Sequence, residues 1–463
     1  MGFAELTLET FRDPAGSLRV DGNRVLRRVN PEAAAAALAF LRSDLAHTWV
    51  EQGRLIETSF LEAHDEELTL AHPRIFFPSY PWEWTPSAWI AAADLTLDFS
   101  EALLERGLIL KDATPLNILF VGTRPVFVDV LSVEERDPTS PLWLAYGQFV
   151  RTFLLPLTAW AYLGWPLTGA IQKRDGYEPA DLAPFLGLSR RWRDPFRSLV
   201  TLPLMLEKSA GAGNPAGPQI RQTPEAALGV LRRNLGNLRR HLRAVEKRIH
   251  ASRGASRWSD YVRSADHYGD EDQERKKSFV QDALGAAHAR HVLDLGANSG
   301  AYSRIAVEAG ADVVAWDTDL PATEENRCRA LEGELPITAL IANPARPTPA
   351  AGWRNAENLS LLDRARSRFD CVMMLGLIHH LLLSEQIPLR EISALLRELT
   401  TSWAIVEWIP ASDPRFVDLL RGRDALYGHL DEKAFLRATE PAFTVVLREA
   451  LPNGRVLFLL QAR

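Results

Sequence analysis

The stretch Val292-Leu293-Asp294-Leu295-Gly296-Ala297-Asn298-Ser299-Gly300 restricts the fold more than any other part of the chain. A short apolar run fits a strand buried on both faces. Gly296 and Gly300 let the backbone turn and approach a ligand with no Cβ in the way. A helical pattern starts near Ala301. The acid before the first glycine and the glycine spacing set this loop apart from a phosphate-cradling P-loop. Further apolar runs at Asp312–Trp316, Phe369–Leu375 and Trp403–Trp408 alternate with helical patterns, which predicts right-handed βαβ units in a doubly wound α/β sheet. The chain closes with Phe443–Leu447 and Arg455–Leu460 around Pro452-Asn453-Gly454, a hairpin signal. A parallel sheet that finishes in an antiparallel hairpin is therefore expected.

The second strand ends at Asp317, 23 residues after Asp294. A carboxylate at about that distance accepts from both hydroxyls of a ribose; Asp319 is a less suitable neighbour. Past the apolar run Ile337–Ile341, the amide of Asn343 is placed to pair with an adenine amino group and ring nitrogen. These residues resemble those of the class I methyltransferases, over about Trp258 to Arg463. The resemblance implies a Rossmann-like sheet of seven strands with the last antiparallel, and S-adenosylmethionine as cofactor. It assigns Asp294, Gly296, Ala297, Asn298 and Gly300 to the methionine end. Asp317 takes the ribose, with Thr318 beside it, and Leu375 adds a contact from the fourth strand. Asn343 stands where the family often has aspartate. Upstream, Trp258, Tyr261, His267 and Tyr268 precede a helix bearing Phe279 and Val280. Many such enzymes place a lid there, and Tyr268 would then touch the methionine carboxylate or the sulfonium; it fits equally as a packing aromatic.

Methyl transfer needs an aligned acceptor, excluded water and, for a hydroxyl or ammonium acceptor, a base. The fourth strand runs out into Leu375-Gly376-Leu377-Ile378-His379-His380, at the sheet edge where doubly wound folds place their chemistry. His379 and His380 are candidate bases, with His380 favoured; the other reading is that they cap a helix or line the adenine side. Glu407, ending the fifth strand, is expected at the cleft mouth, orienting a histidine or binding the acceptor. Asp413-Pro414 and the region from Tyr427 to Phe435 are expected to form a substrate-facing insertion. No metal-ligand spacing occurs, so no metal is expected.

In the N-terminal half, Leu110-Lys111-Asp112-Ala113-Thr114-Pro115-Leu116-Asn117 and the strand-like Pro125–Asp129 stand out. They resemble the catalytic loop of kinase-like phosphotransferases, with Asp112, Asn117 and Asp129 at the positions of the proton acceptor and the two metal-holding residues. The departures are a leucine at the usual histidine, no glycine after Asp129, and no glycine-rich loop. No lysine precedes Lys111, so Arg27 or Arg28 would have to replace the nucleotide-anchoring lysine, and arginine is a poor substitute. The domain therefore reads as a degenerate, α+β kinase-like one, with an active kinase and chance resemblance as the other readings. Phe76-Phe77-Pro78-Ser79-Tyr80-Pro81-Trp82-Glu83-Trp84 suits either an acceptor pocket or a prolyl loop packed on the core.

At 463 residues the chain exceeds one usual core. The expected organisation is a kinase-like domain over 1–208, a Gly/Ala/Pro-rich linker over 209–224, a basic amphipathic helix over 225–257 and the methyltransferase domain over 258–463. Leu231, Leu235, Leu238, Leu242, Val245 and Ile249 line one helix face, with arginines and lysines elsewhere. That face would pack on a neighbouring domain, pair two chains as a homodimer, or leave a basic surface for an anionic partner. The uncharged run Thr152–Gln172 is long enough to span a bilayer, but Pro156, Gly164 and Pro166 argue for a buried helix pair and no membrane span. A net charge of −6 argues against nucleic acid as the main partner. Two cysteines and no signal-peptide pattern fit a cytoplasmic, reducing location. The two-part plan resembles the host-specific nodulation protein family and some glycan-modifying enzymes. It implies a methyltransferase acting on a small-molecule or saccharide acceptor that the N-terminal half helps recognise. The alternatives are a bifunctional kinase-methyltransferase and a non-catalytic cofactor-binding scaffold.

Overall fold

In the computed structural model, residues 12–64, 67–210, 221–255 and 270–463 are described. The chain divides into two compact units, Met1–Ser256 and Arg257–Arg463.

The first unit opens with a four-stranded antiparallel sheet of β1 (Gly16–Asp21), β2 (Arg24–Val29), β3 (Ser59–His64) and β4 (Glu67–Pro73), in the order β1-β2-β4-β3. Helix Pro86–Leu104 follows, then β5 (Leu108–Leu110), β6 (Ile118–Val121), β7 (Arg124–Phe127) and β8 (Val133–Glu135), paired as two small ribbons. The run Thr152–Gln172 is not a continuous helix. A π-helical turn leads into helix Leu155–Leu163, which Gly164 ends with φ +75°, and a 3-10 turn follows Pro166. Phe153, Leu154, Leu155 and Leu157 are fully buried, and among the described residues no helix is long and apolar enough to cross a membrane. The aromatic stretch around Trp82 is core: Trp84 packs edge-on against Trp89 and Phe120, and its indole N–H donates to Ser79 Oγ at 2.9 Å.

The long helix runs from Pro224 to Ala255 and lies within the first unit. Its stripe from Leu231 to Ile249 is buried against helices Pro86–Leu104 and Leu155–Leu163. Six such side chains contribute on the order of 1.5–3 kcal/mol each. Part of its basic face is occupied too. Arg239 bonds Asp94, Asp98 and Glu101, Arg243 bonds Asp94, and Arg232 bonds Glu105. Among its described residues the stripe itself is therefore taken up within the unit and is not the free face that the expected homodimer needs.

The second unit is a single seven-stranded sheet of β9 (His291–Leu295), β10 (Asp312–Asp317), β11 (Ile337–Ile341), β12 (Phe369–Met374), β13 (Thr400–Trp408), β14 (Phe443–Ala450) and β15 (Val456–Ala462). Their order is β11-β10-β9-β12-β13-β15-β14. The first five are parallel, and β15 enters antiparallel between β13 and β14. This is the parallel sheet with a closing antiparallel hairpin expected from sequence. The turn at Leu451–Arg455 places Gly454 at φ +85°. The order reverses at β9, between β10 and β12, so the loops after β9, β10 and β12 meet at one edge, where doubly wound sheets bind ligands.

Candidate functional site

β9 delivers Asp294 to this edge, 2% exposed, where its carboxylate accepts from Ser303 Oγ at 2.6 Å. The loop beyond it is held tightly. Gly296 N and Ala297 N both donate to Trp316 O on β10, at 2.9 and 3.1 Å. Gly296, Asn298 and Gly300 all have positive φ, at +74°, +49° and +78°. A Cβ on Gly300 would lie 2.0 Å from Asn326 Oδ1, so only glycine fits there. Asp317, at the end of β10, accepts from Asn298 N at 2.7 Å on one oxygen and from Asp319 N at 2.8 Å on the other. The two acids singled out in the sequence thus share one edge, tied through the glycine loop. Burial raises the pKa of both. Asp294 is pushed up to about 6, with the negative charge of Asp317 adding to the effect and the Ser303 bond opposing it.

Around them, Ala297 and Leu375 are buried, and Leu377 packs over Gly296. Thr318 is exposed. Asp319 caps helix Leu320–Glu332 by accepting from Ala322 N, which removes it as a substitute for Asp317. Asn343 departs from expectation. Its side-chain oxygen already accepts from Ala345 N at 2.8 Å and Arg346 N at 3.3 Å, leaving its NH2 as the group to offer an adenine. Trp258, Tyr261, His267 and Tyr268 lie outside the described residues.

The two histidines separate. His379 is 4% exposed, and burial, followed by the adjacent His380 and then Arg455, lowers its pKa to about 3. It stays neutral at pH 7 but is too weak a base for the role expected of it. His380 is exposed, and it feels the charge of Asp317. Partial desolvation of its ring, then Arg415, lowers its pKa, against the charge of Asp317.

Glu407 is not at a cleft mouth. It is fully buried, with one oxygen 2.7 Å from Lys276 Nζ and the other 3.3 Å from Arg455 Nη1. Arg455 in turn bonds Asp413 at 2.7 Å. Lys276 also sits 4.7 Å from the ring centroid of Tyr302, a cation–π distance. Two acids and two cations thus close one buried network. Burial and a cation on each oxygen thus place Glu407 in this network and not at the cleft mouth where the sequence put it. Sequence reasoning missed Lys276 and Arg455. Lys276 is hidden in the charged run Asp270–Lys277, and Arg455 in the closing hairpin. Asp413, expected in a substrate-facing insertion, caps helix Pro414–Leu420 by accepting from Arg415 N.

In the first unit, Asn117 and Asp129 meet through Ser132, and Asn117 Nδ2 also reaches the main-chain oxygen of Asp112 at 3.5 Å. Asn117 Nδ2 contacts Ser132 Oγ at 3.3 Å, and Ser132 Oγ donates to Asp129 at 2.6 Å. Asp112 accepts from Gln148 Nε2 at 3.2 Å. Arg27, one of the two candidates to replace the nucleotide-anchoring lysine, pairs with Asp129. Its guanidinium, nine-tenths buried, lies 2.6 Å from the other oxygen of Asp129. Among the described residues, no group of three or more His, Cys, Asp or Glu side chains converges to hold a metal.

In fold, the second unit is Rossmann-like and resembles the class I methyltransferases. No family model matches the chain. The chain is 27% identical over 463 residues to the nodulation protein NoeA of Rhizobium meliloti (strain 1021), a match covering 96% of this chain and 94% of that one. Similar solved structures include magnesium protoporphyrin IX methyltransferase from Synechocystis PCC 6803 with bound SAH (16% identity, 42% of this chain, 84% of that one, TM-score 0.31). The N-methyltransferase NodS from Bradyrhizobium japonicum WM9 matches at 11% identity (42% and 97%, TM-score 0.30). The bifunctional kinase-methyltransferase WbdD matches at 18% (42% and 40%, TM-score 0.31), so this chain spans under half of WbdD.

Proposed function

We propose that the second unit is an S-adenosylmethionine-dependent methyltransferase for a small-molecule or saccharide acceptor. One observation carries the reading: a tight loop that closes on Gly300, where only glycine fits, and begins at a buried acid is tied through Asn298 N–H to a second acid at the next strand end. The residues fit this cofactor. Asp294 suits its ammonium, the Gly300 turn leaves backbone open to it, and Asp317 keeps a lone pair on each oxygen for the two ribose hydroxyls. When bound, S-adenosylmethionine supplies a methyl group activated by a sulfonium. The protein binds and orients the acceptor, excludes water, and lets His380 Nε2 or Nδ1 take the acceptor's proton. The test is calorimetric titration with S-adenosylhomocysteine, followed by an acceptor screen. Its pH dependence has a definite sign. Binding should be strongest near pH 7 and weaken below about pH 6, by up to tenfold per unit, as Asp294 takes up the proton it must lose to face an ammonium. Affinity unchanged down to pH 5 would remove Asp294 from the ammonium.

The first unit is proposed as a non-catalytic kinase-like domain that aids acceptor recognition. Both oxygens of Asp129 are engaged, one by Arg27 and one by Ser132, so a metal would have to displace a buried guanidinium. Magnesium-ATP should therefore give no thermal shift with the wild-type protein. A shift that Asp129→Ala abolishes would instead favour the bifunctional kinase-methyltransferase.

A further inference from the structure

Between Phe185 and Leu206 the first unit mixes large apolar residues with arginines; Leu186, Phe196, Leu199 and Val200 anchor the stretch in the core, and the fold leaves six others outside. Leu188 is 82% exposed, Leu206 69%, Phe185 61% and Trp192 56%. On helix Leu202–Ala210, the exposed residues Leu202, Met205 and Leu206 fall at i, i+3 and i+4, a single face. These side chains project from an ordered scaffold. Arg191 donates to the carbonyls of Leu186 and Ala183 at 3.1 and 2.7 Å, stapling the helical turn Leu188–Arg191 to the loop before it. The Thr201 hydroxyl donates to Arg191 O at 2.6 Å, which ties the start of helix Leu202–Ala210 to the turn that carries Leu188 and Trp192. The same stretch holds four arginines, at 190, 191, 193 and 197, against one acid, Asp194; Arg197 pairs with Asp194 at 3.0 Å and Arg191 serves as the staple, which leaves Arg190 and Arg193 as the cations facing outward.

We propose that this face rests on an anionic lipid surface, with the exposed apolar side chains in the headgroup–acyl boundary and Arg190 and Arg193 among the headgroups. Leucine, phenylalanine and tryptophan beside arginine are the composition of interfacial anchors, and long cationic side chains keep their charge at the headgroups while their stems lie in apolar surroundings. The near-complete exposure of Leu188 marks a protrusion. A folded partner would need a matching pocket for each such knob, whereas a fluid interface needs none. The attraction is local, since the chain as a whole carries −6.

The test is co-sedimentation of the full chain with vesicles of phosphatidylcholine mixed with phosphatidylglycerol, and with phosphatidylcholine alone. Binding is expected to the mixed vesicles only and to fall with added salt. Arg190→Ala and Arg193→Ala should each weaken it about fivefold. Leu188→Glu with Trp192→Glu should abolish it without changing the melting temperature. Failure to bind the mixed vesicles at low salt, or binding untouched by the double variant, would overturn the proposal. So would a dimer in sedimentation lost through those same two substitutions, which would make a second copy the occupant. None of these outcomes depends on the methyltransferase reading.

Discussion

Replacing Asp317 with alanine should reduce S-adenosylhomocysteine affinity by about 100-fold or more. Each hydrogen bond to a charged acceptor contributes about 1.5–3 kcal/mol, and two ribose hydroxyls are at stake. The variant also removes the acceptor for Asn298 N at 2.7 Å and Asp319 N at 2.8 Å, so the glycine loop loses its tie to β10. Asp317→Asn separates these effects. It keeps one acceptor oxygen and the side-chain volume but loses the charge and one acceptor, so its affinity should fall between wild type and alanine. Calorimetry reads the affinity, and melting of each variant shows whether the second unit remains folded. An alanine variant that binds like wild type would move the ribose elsewhere. A wild-type protein that does not bind would sink the methyltransferase proposal itself.

Much of the second unit was legible because a strand buried on both faces must be a short continuous apolar run. His291–Leu295 and Ile337–Ile341 coincide with β9 and β11. β13 begins at Thr400, three residues before the apolar run. The Thr400 hydroxyl donates to Trp403 O at 2.8 Å, so a polar residue is satisfied inside the sheet where its sequence reads as loop. The glycine loop and Asp317 were legible because their chemistry is local: strand end, turn, next strand end. Glu407 was not, because its role is set by Lys276, 131 residues away, and Arg455, 48 residues away. An acid at a strand end looks the same whether it faces a cleft or a buried lysine. The docking of the long helix is an intermediate case. Its apolar stripe was plain, but its place became readable only with Asp94, Asp98, Glu101 and Glu105. They recur at helical spacing from Pro86–Leu104 to the residue just past it, and meet Arg239, Arg243 and Arg232. Matching the two charge patterns would have found it.

Replacing Glu407 with leucine should destabilise the second unit by about 3–5 kcal/mol, because it leaves two buried cations facing an apolar side chain. The side chains of Lys276 and Arg455 are 5% and 9% exposed, so water cannot replace the carboxylate. For a unit of this size the melting temperature should drop by roughly 10 °C. Glu407→Gln keeps the shape and one acceptor and should cost less. Adding Lys276→Met to Glu407→Leu removes one orphaned charge, while Arg455 retains Asp413 at 2.7 Å. The pair should therefore recover a good part of the loss, as replacing both partners of a buried ion pair commonly does. Methyl transfer per folded molecule in the Gln variant then decides the role of Glu407. Turnover near wild type with lowered melting is expected of a residue that holds β13, the closing hairpin and helix Asp270–Ala287 together. Unchanged melting with lost turnover would return Glu407 to the reacting centre, where its place at the end of the fifth strand first put it.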